Sequence, residues 1–310
     1  MTAPAPALRP LGIGEILDVS LKIAWRNLGT FVRIVLFVVA PAQALIAIVQ
    51  ISAIPDFTPN GTFFPSTSDT VEEDDAWTYG AATLSSLVIA FLAGQFATGA
   101  CFRAVAETYL GYQTDWRSSL AFAARKFHSI LWIVFLSGFL TVLGAIFCLI
   151  PGIYLYVGFA VALPVLMSEG ERGRKALGRS RALVRGRWWK TAITLFVAGL
   201  LASLVSGVVS QGVAALSFAS GDEPVSLFFI TAVAGTAGAL ISTPFSAAYH
   251  TVLYFDLRVR KEAFDLRLLA SRLGVEPPPG WQPPLEPPPT STGAQPPFWP
   301  PPPGWKPEDT

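Results

Sequence analysis

Long uncharged stretches alternate with short polar gaps through the first 255 residues of this chain. Residues 34–55 run without a charge between Arg33 and Asp56, residues 76–102 run up to Arg103, and residues 191–221 and 224–255 do the same. Crossing about 30 Å of hydrocarbon takes roughly 20 helical residues, so each stretch qualifies as a span. Residues 129–168 are also uncharged and are interrupted by Pro151-Gly152, a turn-type dipeptide. The pattern predicts two spans there, 129–150 and 153–168, with Tyr154 and Tyr156 as interfacial anchors. A re-entrant hairpin that returns to its own face stays open as the alternative. The fold class that follows is all-α: a polytopic membrane helical bundle of about six transmembrane helices.

One amphipathic segment precedes each pair of spans. Around Gly14–Asn27, Ile13, Ile16, Leu17, Leu21 and Ala24 recur at helical spacing, while Asp18, Lys22 and Arg26 line another face. Residues 115–127 place Trp116, Leu120 and Phe122 ahead of Arg125-Lys126-Phe127. Residues 173–190 alternate Ala176, Leu177, Ser180, Leu183 and Val184 with basic residues and close on Trp188-Trp189-Lys190. The shared plan of interfacial helix, basic-aromatic junction and helical hairpin predicts three degenerate copies of one module. After the last span, residues 256–273 read as a further helix, with Asp256 and Arg260 paired at i, i+4 and Gly274 as its stop. The chain then divides into an N-terminal cytoplasmic segment (1–29), a six-span membrane domain (30–255), a cytoplasmic helix (256–274) and a tail (275–310).

Charge orients the bundle. The gaps at residues 55–78 and 217–226 hold no Lys or Arg but eight carboxylates: Asp56, Asp69, Glu72, Glu73, Asp74, Asp75, Asp222 and Glu223. With those gaps outside, all 22 lysines and arginines fall on the cytoplasmic side, as the positive-inside rule requires, and both termini are cytoplasmic. The expected location is the cytoplasmic membrane of a bacterium. A composition 52% hydrophobic and 14% charged agrees with a membrane chain, since soluble domains run nearer a quarter charged. The basic residues hug apolar spans, which gives no nucleic-acid surface.

The sequence shows little chemistry. Cys101 and Cys148 sit in apolar runs, His128 and His250 at span ends, and no G-x-S-x-G, H-E-x-x-H or phosphate-loop pattern occurs. No enzyme and no cofactor are expected. The richest segment lies between spans four and five, where Arg172, Arg174, Lys175, Arg179, Arg181, Arg185, Arg187 and Lys190 surround Trp188 and Trp189. Beside a membrane each such cation gains roughly 1 kcal/mol from anionic lipid, so these ten residues are the candidate site for lipid or a partner. Residues 277–310 hold 15 of the 26 prolines, with Trp281, Trp299 and Trp305 among them. Such sequence reads as disordered and extended, a docking segment for a cytoplasmic or membrane protein. The expected function is a non-catalytic scaffold that recruits partners or anionic lipid at its cytoplasmic face. A transporter or permease for a small or lipidic substrate is the alternative, motivated by Pro41, Pro164 and Pro244 within spans and by intramembrane Gln43, Gln50, Gln95 and Gln211.

Leu163-Pro-Val-Leu-Met-Ser-Glu-Gly170, followed by Lys175-Ala-Leu-Gly-Arg-Ser-Arg-Ala-Leu-Val-Arg-Gly-Arg-Trp-Trp-Lys190, resembles the signature of the bacterial family labelled glycerophosphoryl diester phosphodiesterase membrane domain. The opening Arg9-Pro-Leu-Gly-Ile-Gly-Glu-Ile-Leu-Asp18 and the closing Tyr254-Phe-Asp-Leu-Arg-Val-Arg-Lys-Glu-Ala-Phe-Asp265 resemble its two ends, so the likeness covers residues 9–265. High Ala, Gly, Arg and Pro usage suggests an actinobacterial source. In fused relatives the phosphodiesterase is a separate soluble barrel, and no segment here has that character. The resemblance implies a stand-alone membrane module that presents partners or contacts lipid, and it brings no binding residues with it.

Overall fold

The computed structural model describes residues 10–52, 73–110, 114–215 and 224–264. These residues form helices and short connections, with no strand among them: α1 (Ile13–Arg26), α2 (Leu28–Ser52), α3 (Glu73–Tyr109), α4 (Trp116–Phe147), α5 (Leu149–Phe159), α6 (Ala162–Glu169), α7 (Arg174–Val184), α8 (Trp188–Ala214) and α9 (Pro224–Glu262). Six stretches are long and apolar enough to cross a membrane, within α2, α3, α4, the α5–α6 pair, α8 and α9. The all-α bundle of the sequence reading is therefore the fold. The tail with Trp281, Trp299 and Trp305, the acidic stretch from Asp56 to Glu72, Asp222 and Glu223, and residues 265–274 of the terminal helix lie outside the described residues.

The reversal between spans three and four is not at Pro151-Gly152. It falls at Cys148, whose backbone is extended (φ −168°, ψ 144°), and Pro151 sits in the first turn of α5. Proline has no N–H to give the carbonyl four residues back, and its ring clashes there. That carbonyl belongs to Phe147, the last residue of α4, so the chain breaks at Cys148, just after the residue whose carbonyl the proline cannot serve. Pro164 acts in the same way: the break at Ala160–Val161 between α5 and α6 lies three to four residues ahead of it. Gly152 serves packing instead, because a Cβ there would lie 2.9 Å from Ala145 Cα on α4. A Cβ at Gly144 would likewise lie 3.3 Å from Gly152 N and 3.4 Å from its Cα, so the two helices approach closely through their glycines.

Two of the three amphipathic segments form helices of their own, apart from the long apolar helices they precede. Helix α1 starts where Gly12 N–H donates to Glu15 Oε2 (2.7 Å) and ends where Asn27 N–H and its side-chain amide both donate to the Ile23 carbonyl. Helix α7 is set off by Gly170, Gly173 and Gly186, all at positive φ, a conformation glycine adopts without steric cost. The segment 115–127 has no such punctuation and is continuous with span three as the first three turns of α4, capped by Asp115 on Ser118 N–H. Likewise Asp256–Glu262 continues α9 and is not a separate helix. The inward face of α1 is Ile16, Ser20 and Ala24, while Leu21 and Trp25, 56% and 75% exposed, form a second apolar stripe facing out beside Lys22 and Arg26.

The core gathers at the end where α1, α7 and the last turns of α9 meet. Leu253, Tyr254, Phe255 and Leu257 are buried there with Ile16, Phe31, Ile34, Leu166 and Leu183. Towards the other end α8 and α9 pack through small residues: Ala198, Ala202 and Ala234 are buried, and Gly238 lies against the Ser210 hydroxyl. Elsewhere the long helices turn out large apolar side chains such as Phe37, Leu84, Phe139, Phe147, Ile150 and Phe196, the surface that lipid covers.

Candidate functional site

Two ion networks tie the segment 172–190 to the end of α9. In the first, Asp256 is the hub. The residue is 1% exposed, and its carboxylate accepts from Leu11 N–H (2.7 Å), Lys190 Nζ (2.8 Å) and Arg260 Nε (2.9 and 3.1 Å). The Leu11 carbonyl returns the contact, accepting from Lys190 Nζ (2.6 Å) and Arg260 Nη2 (2.8 Å). Three chain regions far apart in sequence, the entry to α1, the start of α8 and the end of α9, are thereby fixed on one carboxylate. A buried carboxylate persists only when paired and hydrogen-bonded, and this one is both.

In the second network Glu169, at the end of α6, accepts from Arg179 Nε (2.9 Å), Arg179 Nη2 (3.2 Å) and the Tyr254 hydroxyl (2.8 Å). Arg179 also pairs with Glu262, and Arg258 bridges Glu262 (3.1 Å) and the Tyr254 hydroxyl (3.1 Å). Burial alone would lower the Arg179 pKa. The hydrogen bonds and charge of Glu169, with the charge of Glu262, reverse that and hold the guanidinium above its ordinary value. Lys261 closes the arrangement by donating to the carbonyls of Ala182 (2.6 Å) and Arg185, the open C-terminal end of α7.

The sequence-predicted cations thus divide. Arg179 and Lys190 face inward and hold the fold together. Arg172, Arg174, Lys175, Arg181 and Arg185 are exposed and Arg187 is half-buried, and no carboxylate among the described residues lies within 4.0 Å of any of the six. The division follows the helix period: Ala176, Leu177, Ser180, Leu183 and Val184 occupy the inner face of α7, and Ser180 Oγ donates to the Gly158 carbonyl of α5 (2.8 Å). Trp188 stacks on Tyr154 (6.0 Å, 17°) and its indole N–H points at the Tyr154 carbonyl (3.4 Å). Trp189 meets Trp188 edge-on (4.8 Å) and is 75% exposed. Between α5 and α7 the surface opens into a groove of about 470 Å³, with Tyr154, Gly158 and Trp188 on one side and Arg181, Arg185 and Gly186 on the other.

Glu169, Tyr254, Asp256, Arg258, Lys261 and Glu262 were not among the sequence-predicted site residues. One signal was present: Asp256 stands in an apolar run between Phe255 and Leu257, and a carboxylate so placed needs a cation from somewhere. The i, i+4 pairing with Arg260 is as expected, but Lys190 and Leu11 lie 66 and 245 positions away. Comparison with protein-family models, with curated proteins and with solved structures finds no match to this chain.

Proposed function

We propose that this chain is a non-catalytic, multi-pass scaffold of a bacterial cytoplasmic membrane, with both termini in the cytoplasm. On this reading its basic face recruits anionic lipid or a partner, and the chain is a stand-alone module like the membrane domain that its motifs resemble. One observation carries the proposal. Two of the eight cations in Arg172–Lys190 are engaged in the ion networks, and six, five of them exposed and one half-buried, have no carboxylate partner among the described residues and lie beside an exposed tryptophan. Cations spent only on stability would be paired, and arginine with exposed tryptophan is the composition of a membrane-interface contact. The test is the lipid carried through purification of the full chain in mild detergent. Anionic lipid is expected to be enriched over the bulk membrane and to return to bulk composition in R172Q/R174Q/K175Q/R181Q/R185Q/R187Q. In-cell crosslinking with and without residues 277–310 reports the partner arm. No lipid enrichment, together with a crosslinked protein set unchanged by either alteration, would overturn the proposal.

A permease is the second reading, and a polar line inside the bundle favours it. Gln50 donates to the Ser86 hydroxyl (3.1 Å) between α2 and α3, and the Gln43 amide lies 3.1 Å from where a Cβ on Gly235 of α9 would sit. Uptake into vesicles that Gln43→Ala abolishes would establish it.

A further inference from the structure

The geometry points to a defined site on the basic face: the groove between α5 and α7 binds the phosphate of an anionic phospholipid, with Arg181 and Arg185 on the phosphate and the acyl chains along the outer face of α5. This inference rests on the lipid arm of the reading above and goes further, since it assigns one of several exposed cation groups and one kind of occupant.

The two walls of the groove differ in chemistry, and that difference selects the occupant. On the α7 side Arg181 and Arg185, one turn apart, are exposed with no carboxylate partner among the described residues. The backbone beneath them is already satisfied, because Lys261 takes the carbonyls of Ala182 and Arg185. The guanidinium groups are therefore not drawn back to cap α7, and Lys261 and the half-buried Arg187 add to the local positive field. Arginine's planar fork matches two phosphate oxygens at once, which a scattered lysine surface does not. Gly158 shapes the floor: the Arg181 stem crosses it with Cγ 3.4 Å from where a Cβ would sit. On the α5 side the wall is Tyr154 stacked on Trp188, and the exposed apolar residues Ile150 and Ile153 continue from it along α5. A free phosphate or sugar phosphate has no use for that apolar continuation. A lipid has, since its headgroup and its chains need walls of opposite character within a few ångströms.

The test uses the full chain in nanodiscs and in detergent, with phosphatidylglycerol, phosphatidylcholine and glycerol 3-phosphate as probes. Bound lipid is counted by native mass spectrometry and stability is read by thermal unfolding. For the wild type, phosphatidylglycerol is expected to be retained at least tenfold over phosphatidylcholine, and glycerol 3-phosphate to leave the unfolding temperature unchanged. R181Q/R185Q should lose that preference, R181K/R185K should lose most of it while keeping the charge, and R172Q/R174Q/K175Q should keep it within about threefold. Unchanged unfolding temperatures of the lipid-free variants show that the losses are not failures to fold. Gly158→Leu, which keeps the net charge but fills the groove floor and presses on the Arg181 stem, should also lose the preference. Equal losses in the two glutamine variants would overturn the site and leave the broader lipid reading standing as diffuse attraction. No preference in any form, wild type included, would overturn both. Stabilisation by glycerol 3-phosphate equal to that by the lipid would replace the lipid with a soluble phosphate.

Discussion

Asp256 carries a charge into a place where its sequence neighbours, Phe255 and Leu257, are wholly buried. Three donors, from Leu11, Lys190 and Arg260, keep it there. Removing one partner of a buried ion pair costs about 3–5 kcal/mol, because the survivor stays buried without compensation. Asp256→Asn keeps the shape but leaves two cations facing a neutral amide. Thermal unfolding of the purified chain should show a loss of about 3 kcal/mol, part of which Lys190→Met restores in the double variant. Thr191, next to Lys190, gives the opposite case. Its hydroxyl is buried and has no partner among the described residues, whereas Thr194 one turn on donates to the Lys190 carbonyl (2.8 Å). An unsatisfied buried hydroxyl costs roughly 1–3 kcal/mol, so Thr191→Val should raise stability by about 1 kcal/mol, and a loss in the same melting assay would contradict this.

At the scale of elements, what was legible in the sequence depends on punctuation. Asn27 marks the end of α1, the positive-φ glycines 173 and 186 bracket α7, and both helices stand where the amphipathic pattern puts them. Between Phe127 and the third apolar run there is no Gly, Pro or Asn, so nothing stops the helix and the middle copy of the module merges into α4. Pro151 reads as the turn itself, yet its effect falls on residues earlier in the chain. The displacement to Cys148 also changes how the hairpin is to be probed. Gly152→Cys, the obvious choice on the sequence reading, would press a side chain onto the Ala145 backbone. Cys148 is native, exposed and at the reversal. Its depth is constrained by α7, a helix with exposed arginines along its length, which packs beside the hairpin from Trp132 at Gly173 to Gly158 at Ser180, with Tyr154 at Trp188 just beyond. Leu149 is five residues before Tyr154, about 7.5 Å of helix, whereas a full crossing needs about 30 Å. In a Cys101→Ser background, Cys148 should therefore resist an impermeant thiol reagent added outside, while a cysteine at Ser68 reacts. Equal labelling of the two would show that α5 and α6 cross completely despite these contacts.

For the whole molecule, the crowding of cations into Arg172–Lys190 was readable because it is written residue by residue, whereas the lock that uses two of them was not, because its members lie as far apart as Leu11 and Glu262. Leu11, Glu169, Arg179, Lys190, Asp256 and Glu262 converge at the same end as the six outward cations. This places the rigid core of the bundle at the face that carries the positive charge, and the lipid-facing lengths of α8 and α9 extend from it. Orientation and folding are then coupled: inverting the protein would carry the outward cations and the core across together. Basic residues within short loops stay on the cytoplasmic side, and eight of the 22 lie in Arg172–Lys190 alone. In a chain with Cys101 and Cys148 replaced by serine, a cysteine at Arg172 should be labelled by an impermeant maleimide only after the cells are permeabilised, and one at Ser68 should be labelled without it. Neutralising the six outward cations should leave that pattern intact, since Arg103, Arg125, Lys126, Arg179, Lys190 and the cations at the end of α9 still hold the same side. If neutralisation scrambles the labelling, those six are needed for topology, and their outward placement no longer argues for a ligand.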